Sequence, residues 1–139
     1  MPSLSTVKVV QLMSHPVITA KYNTPLTDLI KLLRKHEIRH LPIVNDGDAL
    51  IGIVSNRDML VATNTPANID GNRWASHIMT PDPIVTNAGQ AASIAAKMLL
   101  THHIGCLPVM EKSRIIGIVT ESDFVRFFAG EKDNVAENI

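Results

Sequence analysis

Apolar residues along this chain follow two alternating spacings, and the whole alternation occurs twice. Two stretches have apolar residues three and four positions apart, the spacing of a helix that buries one face. The first stripe consists of Leu26, Leu29, Ile30 and Leu33, and the second of Ala91, Ile94, Ala95, Met98 and Leu99. Each stripe is followed by two short apolar runs with turn residues between them, a pattern that predicts a β-hairpin.

Each copy therefore predicts the order strand, helix, strand, strand, helix. In the first copy, residues 17–19 form a short β-prone stretch. Thr24-Pro25 then provides an N-cap and a proline at the first helical position, where a missing N–H costs nothing. The hairpin would span residues 41–54 with its turn at 45–48, and Pro42 in its first strand implies an edge strand or a bulge.

The second copy repeats this order with different turn and cap residues. Asn87 and Gln90 match the spacing of a capping box before the second helical stripe. The second hairpin would span residues 104–119 with its turn at 111–113. Because a three-stranded sheet with two helices cannot cover both of its faces, we predict an α+β fold in which the two halves pack sheet against sheet.

The repeat also predicts the limits of the two halves. The first copy would occupy residues 7–62 and the second residues 73–129. Residues 63–72 between them are rich in turn-forming side chains, which indicates a connector. Residues 130–139 form a polar tail.

Composition narrows the range of functions. Lys plus Arg and Asp plus Glu number 13 each, so no overall field attracts nucleic acid or an anionic membrane. No apolar run approaches the ~20 residues that span a bilayer, and residues 1–5 carry no signal-peptide hydrophobic region. Cys106 is the only cysteine and is expected to be a small core residue; no internal disulfide can form, which fits a reducing cytosol. We therefore predict a cytoplasmic protein with no nucleic-acid or membrane partner.

Three short motifs carry the repeat and occur in the same order in each copy. They are Met13-Ser14 and Met79-Thr80, then Leu41-Pro42 and Leu107-Pro108, then Gly52-Ile53-Val54-Ser55-x-x-Asp58 and Gly117-Ile118-Val119-Thr120-x-x-Asp123. Over residues 7–129 the chain resembles a tandem pair of CBS domains, also called a Bateman module. The resemblance implies two motifs packed about a pseudo-twofold axis, with two clefts for adenosine-containing ligands such as AMP, ADP, ATP, S-adenosylmethionine or NAD-type molecules.

The resemblance also implies regulation rather than catalysis. Such modules usually form homodimers and control an attached or partner protein. Because the two copies fill most of this chain and nothing enzymatic is fused to them, the resemblance implies a stand-alone sensor that is not an enzyme and needs no cofactor beyond its adenosine ligand. The regulated partner cannot be named from the sequence.

Both hydroxyl-x-x-aspartate segments end a strand and open a helix, so each would also serve as an ordinary N-cap. Aspartate reaches back less readily than the Glu or Gln of the usual capping box, and this favours a ligand role. The resemblance implies that Asp58 and Asp123 accept hydrogen bonds from ribose hydroxyls, with Ser55 and Thr120 near the ribose or phosphate.

In this family each cleft combines the aspartate of one motif with the Met-Ser/Thr segment of the other. One cleft would hold Thr120, Asp123, Ser14, Arg39 and His40, and the other Ser55, Asp58, Thr80, Gly105 and Cys106. Only the first contains a permanent cation, and a guanidinium is a good phosphate donor. We therefore predict that the Asp123 cleft is the tighter nucleotide site, unless Arg39 only points outward from its strand.

Adenine would lie between residues 17–18 or 84–85 and the strand of Ile53 or Ile118, all of which would otherwise be ordinary core residues. No aromatic residue stands in these strands to stack on the base.

Other residues carry weaker signals. Adjacent His102-His103, and His36 with His40, lack further ligands at a suitable spacing, so no metal site is predicted. Trp74 is expected at the seam between the halves. One apolar set suits a dimer surface and a core equally well: Phe124, Phe127, Phe128, Met98 and Leu99.

The sequence thus predicts a non-catalytic, homodimeric adenine-nucleotide sensor that works by population shift. Two alternatives stay open. The first is a nucleotide-independent dimerisation or interaction scaffold, in which both aspartates are only caps. The second is a hydrolase using Asp58 or Asp123, which is disfavoured because no nucleophile–base pair or metal cluster surrounds them in the sequence.

Overall fold

The computed structural model describes residues 6–65 and 73–130. Within these ranges the helices are α1 Leu26–His36, α2 Asn56–Asn64, α3 Ala75–Ile78, α4 Ala92–His102 and α5 Glu121–Phe128, and one 3-10 turn covers Val9–Gln11. The strands are β1 Ala20–Lys21, β2 His40–Val44, β3 Leu50–Ser55, β4 Thr80–Pro81, β5 Thr86–Asn87, β6 Cys106–Glu111 and β7 Arg114–Thr120. The predicted tail residues 131–139 and most of the predicted connector, residues 66–72, lie outside the described residues.

The chain divides into two compact units, and each contains one sheet. The central unit is the continuous segment Ile18–Pro83, and the terminal unit joins the residues up to Val17 with those from Ile84 onward. The central unit holds a four-stranded sheet and the terminal unit a three-stranded sheet, each with its own helices. The predicted α+β class is therefore confirmed.

The sheet of the central unit has the order β1-β2-β3-β4. Strands β2 and β3 form the predicted antiparallel hairpin, in which Leu41 lies opposite Val54. Pro42 lies on an inner strand, one residue before a register shift between Ile43 and Val44. Because the parallel strand β1 pairs only with Ile43 and Val44, the missing N–H of Pro42 removes no hydrogen bond from that pair.

The sheet of the terminal unit has the order β5-β6-β7. Its hairpin repeats the first one closely: Leu107 lies opposite Val119, and the register shifts between Val109 and Met110. Parallel β5 pairs only with Val109 and Met110, as β1 does in the other copy.

Each unit has its own hydrophobic core, built from its helix stripe and its hairpin. In the central unit, Leu29 and Leu33 of α1 pack with Leu41, Ile43 and Val54. In the terminal unit, buried residues of α4, α5 and the hairpin form the core; they include Ala95, Leu99, Leu107, Val109, Val119, Phe124 and Phe127. The predicted stripe of α1 faces its core, and so do Ala95, Met98 and Leu99 of the α4 stripe. Ile94 is 41% exposed and lies outside the core, so its assignment to the buried face was wrong.

The apolar set that suited either a core or a dimer surface is divided between the two in the structure. Phe124, Phe127 and Leu99 are buried in the core of the terminal unit, and Met98 packs against it. Phe128 is 58% exposed and lies outside that core. Only Phe128 of this apolar set therefore remains for an interaction surface.

Three local predictions were wrong at the starts of elements. Residues 17–19 precede the first strand, which is Ala20–Lys21. Helix α1 begins at Leu26 with Pro25 at its N-cap, so Thr24 is not the cap. Helix α4 begins at Ala92 with Ala91 at its N-cap, so Asn87 and Gln90 do not form a capping box.

The helix starts differ because backbone partners distant in sequence replace a side-chain cap. The Leu26 N–H donates to the Arg73 carbonyl at 2.8 Å, and the Ala92 N–H donates to the Val7 carbonyl at 2.7 Å. Each of these bonds satisfies an N–H group that has no acceptor within its own helix. Neither α1 nor α4 has a side-chain hydrogen bond at its N-cap.

Among the described residues, no helix combines the length and hydropathy that crossing a membrane requires.

Candidate functional site

The first hydroxyl-x-x-aspartate segment forms a complete reciprocal cap at the start of α2. Ser55 ends β3, and its backbone N–H donates to Oδ2 of Asp58 at 2.8 Å. The Asp58 N–H donates in return to Oγ of Ser55 at 3.0 Å. Asp58 remains partly exposed. The expectation that an aspartate reaches back poorly was wrong, since the strand places the Ser55 N–H within its range.

The second segment forms a related cap at the start of α5, with a different hydrogen-bond pattern. The Thr120 N–H donates to Oδ2 of Asp123 at 2.8 Å, and the Thr120 hydroxyl donates to the same oxygen at 3.3 Å. Arg126 donates to the other oxygen, Oδ1, at 3.3 Å. Asp123 is only 1% exposed. Its carboxylate is therefore a buried and well-satisfied acceptor.

The Met-Ser segment near the start of the chain lies against the strand that leads to Thr120. The Ser14 N–H donates to the Ile118 carbonyl at 2.8 Å, and the Ile118 N–H donates to the Ser14 carbonyl at 3.2 Å. A Cβ atom on Gly117 would lie 2.7 Å from Sδ of Met13 and 3.0 Å from the Ser14 carbonyl oxygen. The glycine therefore permits the close approach of residues 13–14 to β7.

The Met-Thr segment between the copies does the same in the central unit. Thr80 lies opposite Ile53 as part of β4, which pairs antiparallel with β3. A Cβ atom on Gly52 would lie 2.8 Å from Cγ of Met79. In both units, the Met-Ser/Thr segment that precedes one copy thus pairs with the strand that precedes the aspartate of the other copy. Ser14 shares a unit with Thr120 and Asp123, and Thr80 shares one with Ser55 and Asp58.

The residues before each Leu-Pro motif lie beside the cap of their own copy. His40 is opposite Ser55 across the β2–β3 hairpin, and the Asn56 N–H donates to the Arg39 carbonyl at 2.7 Å. Cys106 is likewise opposite Thr120, and the Glu121 N–H donates to the Gly105 carbonyl at 3.1 Å. The predicted groupings of Arg39 and His40 with Asp123, and of Gly105 with Asp58, each span both units and remain predictions.

Two of the residues expected to flank adenine are close to the caps along the chain. Ile53 and Ile118 are two residues before Ser55 and Thr120 in their strands and are partly exposed. Ile84 packs against the core of the terminal unit, whereas Val85 is 39% exposed. Trp74 stacks on His77 within the central unit, with ring centroids 5.8 Å apart, and its predicted role at the seam remains a prediction.

The single cysteine is a core residue with an unreactive thiol. Cys106 is 6% exposed, and burial raises the pKa of its thiol to about 12. The thiolate form, which is the nucleophile, is therefore suppressed at neutral pH. Across the described residues, no group of three or more His, Cys, Asp and Glu side chains is placed to hold a metal ion.

Reasoning from the sequence missed two features of the site. One is the contact of each Met-Ser/Thr segment with a strand glycine, for which the repeated spacing of Met13 with Met79 and of Gly52 with Gly117 was the available signal. The other is the ion pair between Arg126 and Asp123. Its signal was the spacing of three residues on a helix, which brings two side chains together.

Comparison with known proteins assigns the family. The CBS domain family model matches residues 9–64 and 75–130, and the chain belongs to this family. A curated relative, L-aspartate semialdehyde sulfurtransferase of Methanocaldococcus jannaschii, is 32% identical over 122 residues that cover 87% of this chain. The chain spans only 23% of the length of that relative.

Two solved structures share the fold along most of the chain. The CBS domain pair of protein MJ0100, in complex with 5′-methylthioadenosine and S-adenosyl-L-methionine, has a TM-score of 0.81 and 31% identity, and the match covers 90% of this chain and 98% of that one. CBSX2 in complex with AMP has a TM-score of 0.73 and 26% identity, covering 90% and 98% respectively. The prediction of a CBS domain pair is therefore confirmed.

Proposed function

We propose that this chain binds an adenosine-containing ligand at its two aspartate caps and acts as a non-catalytic regulatory sensor. Asp58 and Asp123 would accept hydrogen bonds from the ribose hydroxyls. Seven further residues would complete the two sites: Ser55, Thr120, Ser14, Thr80, Arg39, His40 and Gly105. The proposal includes a cytoplasmic location and a regulated partner protein.

One observation carries this proposal: the carboxylate cap beside a paired Met-Ser/Thr segment occurs in both units. In each unit a backbone N–H holds the aspartate at 2.8 Å, and the segment pairs with an isoleucine two residues before the cap. An N-cap needs only a local side chain, so capping alone does not explain why a distant segment is paired beside both caps. The related structures with 5′-methylthioadenosine and S-adenosyl-L-methionine, and with AMP, supply the ligand class.

The mechanism would be a population shift. A ligand that contacts residues of both copies would favour one arrangement of the chain over others, and a partner that binds this arrangement better would respond to the ligand. The coupling is reciprocal, so the partner would also raise the affinity for the ligand. No chemical step on the ligand is required.

A thermal-shift panel tests the proposed ligand class. Saturation at ~100 times Kd should add about 2.7 kcal/mol to the free energy of unfolding, if the unfolded chain does not bind the ligand. For a domain of this size, that corresponds to a rise of several degrees in Tm. AMP, ATP, S-adenosylmethionine and 5′-methylthioadenosine would be compared with guanosine analogues.

The control is the double variant Asp58→Ala and Asp123→Ala, in which the shift should disappear because both ribose acceptors are gone. If no adenosine compound shifts the Tm of the wild-type chain, the nucleotide-independent scaffold becomes the better explanation. Equal shifts with guanosine analogues would instead contradict selectivity for adenine.

Self-association is a further part of the proposal. Each unit exposes large apolar side chains on its helices: Leu60 and Val61 are 56% and 61% exposed in the central unit, and Leu100, Val125 and Phe128 are 75%, 67% and 58% exposed in the terminal unit. A contiguous exposed apolar patch marks a protein interface; we propose that these side chains contribute to one, and a homodimer would use each contact twice. Sedimentation at micromolar concentration should give twice the mass of the chain, and a monomer at all concentrations would contradict the homodimer.

A further inference from the structure

The two aspartates differ in how many hydrogen bonds their carboxylates already accept from the protein. Among the described residues, Asp58 has a single donor to its carboxylate, the Ser55 N–H on Oδ2, so Oδ1 is open. Both oxygens of Asp123 accept hydrogen bonds, from Thr120 on Oδ2 and from Arg126 on Oδ1. Asp58 is also partly exposed, whereas Asp123 is 1% exposed.

One position of the repeat accounts for the extra bond. Arg126 follows Asp123 by three residues, which places it on the same face of α5. The equivalent residue in the first copy, three after Asp58 on α2, is Val61, which cannot donate a hydrogen bond. The side chain of Arg126 is 49% exposed, so its guanidinium can leave the carboxylate for water without a large change in the fold.

We propose that Arg126 is a latch on Asp123 that makes the two sites unequal. Asp58 is then the open site that binds an adenosine ligand first, and Asp123 accepts a ribose only after Arg126 gives up Oδ1. This inference rests on the proposed function and deepens it. It also reverses the ranking predicted from the sequence, in which the Asp123 cleft was the tighter one.

The size of the effect follows from the exposure of the pair. The Arg126 side chain is 49% exposed and the Asp123 side chain only 1%, so water competes for the guanidinium and the ion pair holds it only weakly. Because a ligand must first break this ion pair, its affinity for the Asp123 site should be only about three- to tenfold lower than it would be without Arg126. This corresponds to roughly 0.7–1.4 kcal/mol in binding free energy. Such a latch delays occupancy of the second site without preventing it.

Reciprocal exchange of the two residues tests the latch. The ligand is 5′-methylthioadenosine, whose 5′ group is uncharged, so an added or removed arginine acts through the carboxylate rather than through a phosphate. Titration calorimetry would first compare Asp58→Ala with Asp123→Ala, and Asp58→Ala should remove the tighter site. In the Asp58→Ala background, Arg126→Val should raise the affinity of the remaining site about three- to tenfold.

The opposite exchange uses an exposed position and does not depend on the first. In the Asp123→Ala background, Val61→Arg should lower the affinity of the Asp58 site by a similar factor. The matched control is Leu60→Arg, which adds the same charge to α2 two residues after Asp58, where side chains do not face each other; it should leave the affinity unchanged. Circular dichroism and melting curves would confirm that each variant folds.

Several outcomes would overturn the latch. If Arg126→Val lowers the affinity or leaves it unchanged, Arg126 contacts the ligand or has no effect on it. If Leu60→Arg weakens binding as much as Val61→Arg, the effect comes from charge in general. If the wild-type chain binds no adenosine compound at all, the proposed function fails and the latch fails with it, whereas binding without an effect of the exchanges removes the latch alone.

Discussion

The caps at Ser55 and Thr120 share one backbone geometry and differ in their surroundings. In both, the N–H of the hydroxyl residue lies 2.8 Å from Oδ2 of the aspartate three positions later. Around this shared bond, Asp58 is partly exposed and exchanges a second bond with Ser55, while Asp123 is buried and also bound by Arg126. The four-residue motif therefore determines the cap, whereas a residue outside the motif determines how accessible the carboxylate is.

The largest expected effect is the difference in stability between the variants Asp123→Ala and Asp58→Ala. Asp123→Ala removes the acceptor of both the Thr120 N–H and the Thr120 hydroxyl, and we expect a loss of about 3 kcal/mol in the free energy of unfolding. Arg126 adds little to this loss, because its half-exposed guanidinium can turn to water. Asp58→Ala removes an N-cap that is partly exposed to water and should cost about 1 kcal/mol. Urea unfolding followed by circular dichroism measures both values.

The isosteric variants Asp123→Asn and Asp58→Asn provide controls, because an amide oxygen can still accept a backbone N–H. Each should be less destabilising than the matching alanine variant. Equal losses for Asp58→Ala and Asp123→Ala would mean that burial and Arg126 add nothing to the second cap.

Local sequence patterns predicted the elements whose stabilisation is local. The stripes of α1 and α4 and both hairpins follow from apolar spacing and turn residues, because burial of one face is repeated along each element. The helix starts were wrong because the Leu26 and Ala92 N–H groups bond to backbone carbonyls at Arg73 and Val7, far away in the sequence. No pattern of neighbouring residues reports such a partner.

The sequence predicted which residues form the candidate site, but not how buried their side chains are or which hydrogen bonds they make within the protein. The repeated motifs pointed to Asp58 and Asp123, and the resemblance to CBS domain pairs gave them a role. The sequence did not show that Asp123 would be buried and bound by Arg126, since exposure depends on how the rest of the unit packs. Arg39 is an exposed residue whose backbone contacts the cap of its own copy, which apolar spacing could not reveal.

The two strand glycines provide a second comparison between the units, with a smaller expected change in the free energy of unfolding. A Cβ at Gly117 would press on Met13 and, at 3.0 Å, on the Ser14 carbonyl oxygen, which already accepts a hydrogen bond from Ile118. At Gly52 the atoms in the way all belong to the flexible Met79 side chain. We expect Gly117→Ala to cost about 2 kcal/mol and Gly52→Ala about 1 kcal/mol.

Urea unfolding of the two glycine variants measures this difference. Met13→Ala combined with Gly117→Ala should recover little stability, because the carbonyl still obstructs the Cβ. Met79→Ala combined with Gly52→Ala should cost less than the sum of the two single changes, because Sδ and Cγ of Met79 are then gone and only its Cβ, at 3.1 Å, remains. A larger cost for Gly52→Ala than for Gly117→Ala would contradict the assignment of the obstruction to the backbone at Ser14.

The smallest effect is expected at a buried hydroxyl that only the second copy carries at this position. Thr86 in β5 is 6% exposed, and its Oγ1 has no hydrogen-bond partner among the described residues, whereas the equivalent position in β1 is Ala20. A buried hydroxyl without a partner loses its hydration and gains nothing in return. Thr86→Val keeps the shape and the β-branching of the side chain, so we expect it to raise the free energy of unfolding by about 1 kcal/mol. Thr86→Ala is the matched control; relative to Thr86→Val it lacks two buried methyl groups, so it should be about 1.6 kcal/mol less stable than Thr86→Val. Urea unfolding distinguishes the two. A loss of stability in Thr86→Val would show that the hydroxyl has a partner in solution, such as a buried water molecule, and that the terminal unit depends on a polar contact which the central unit lacks.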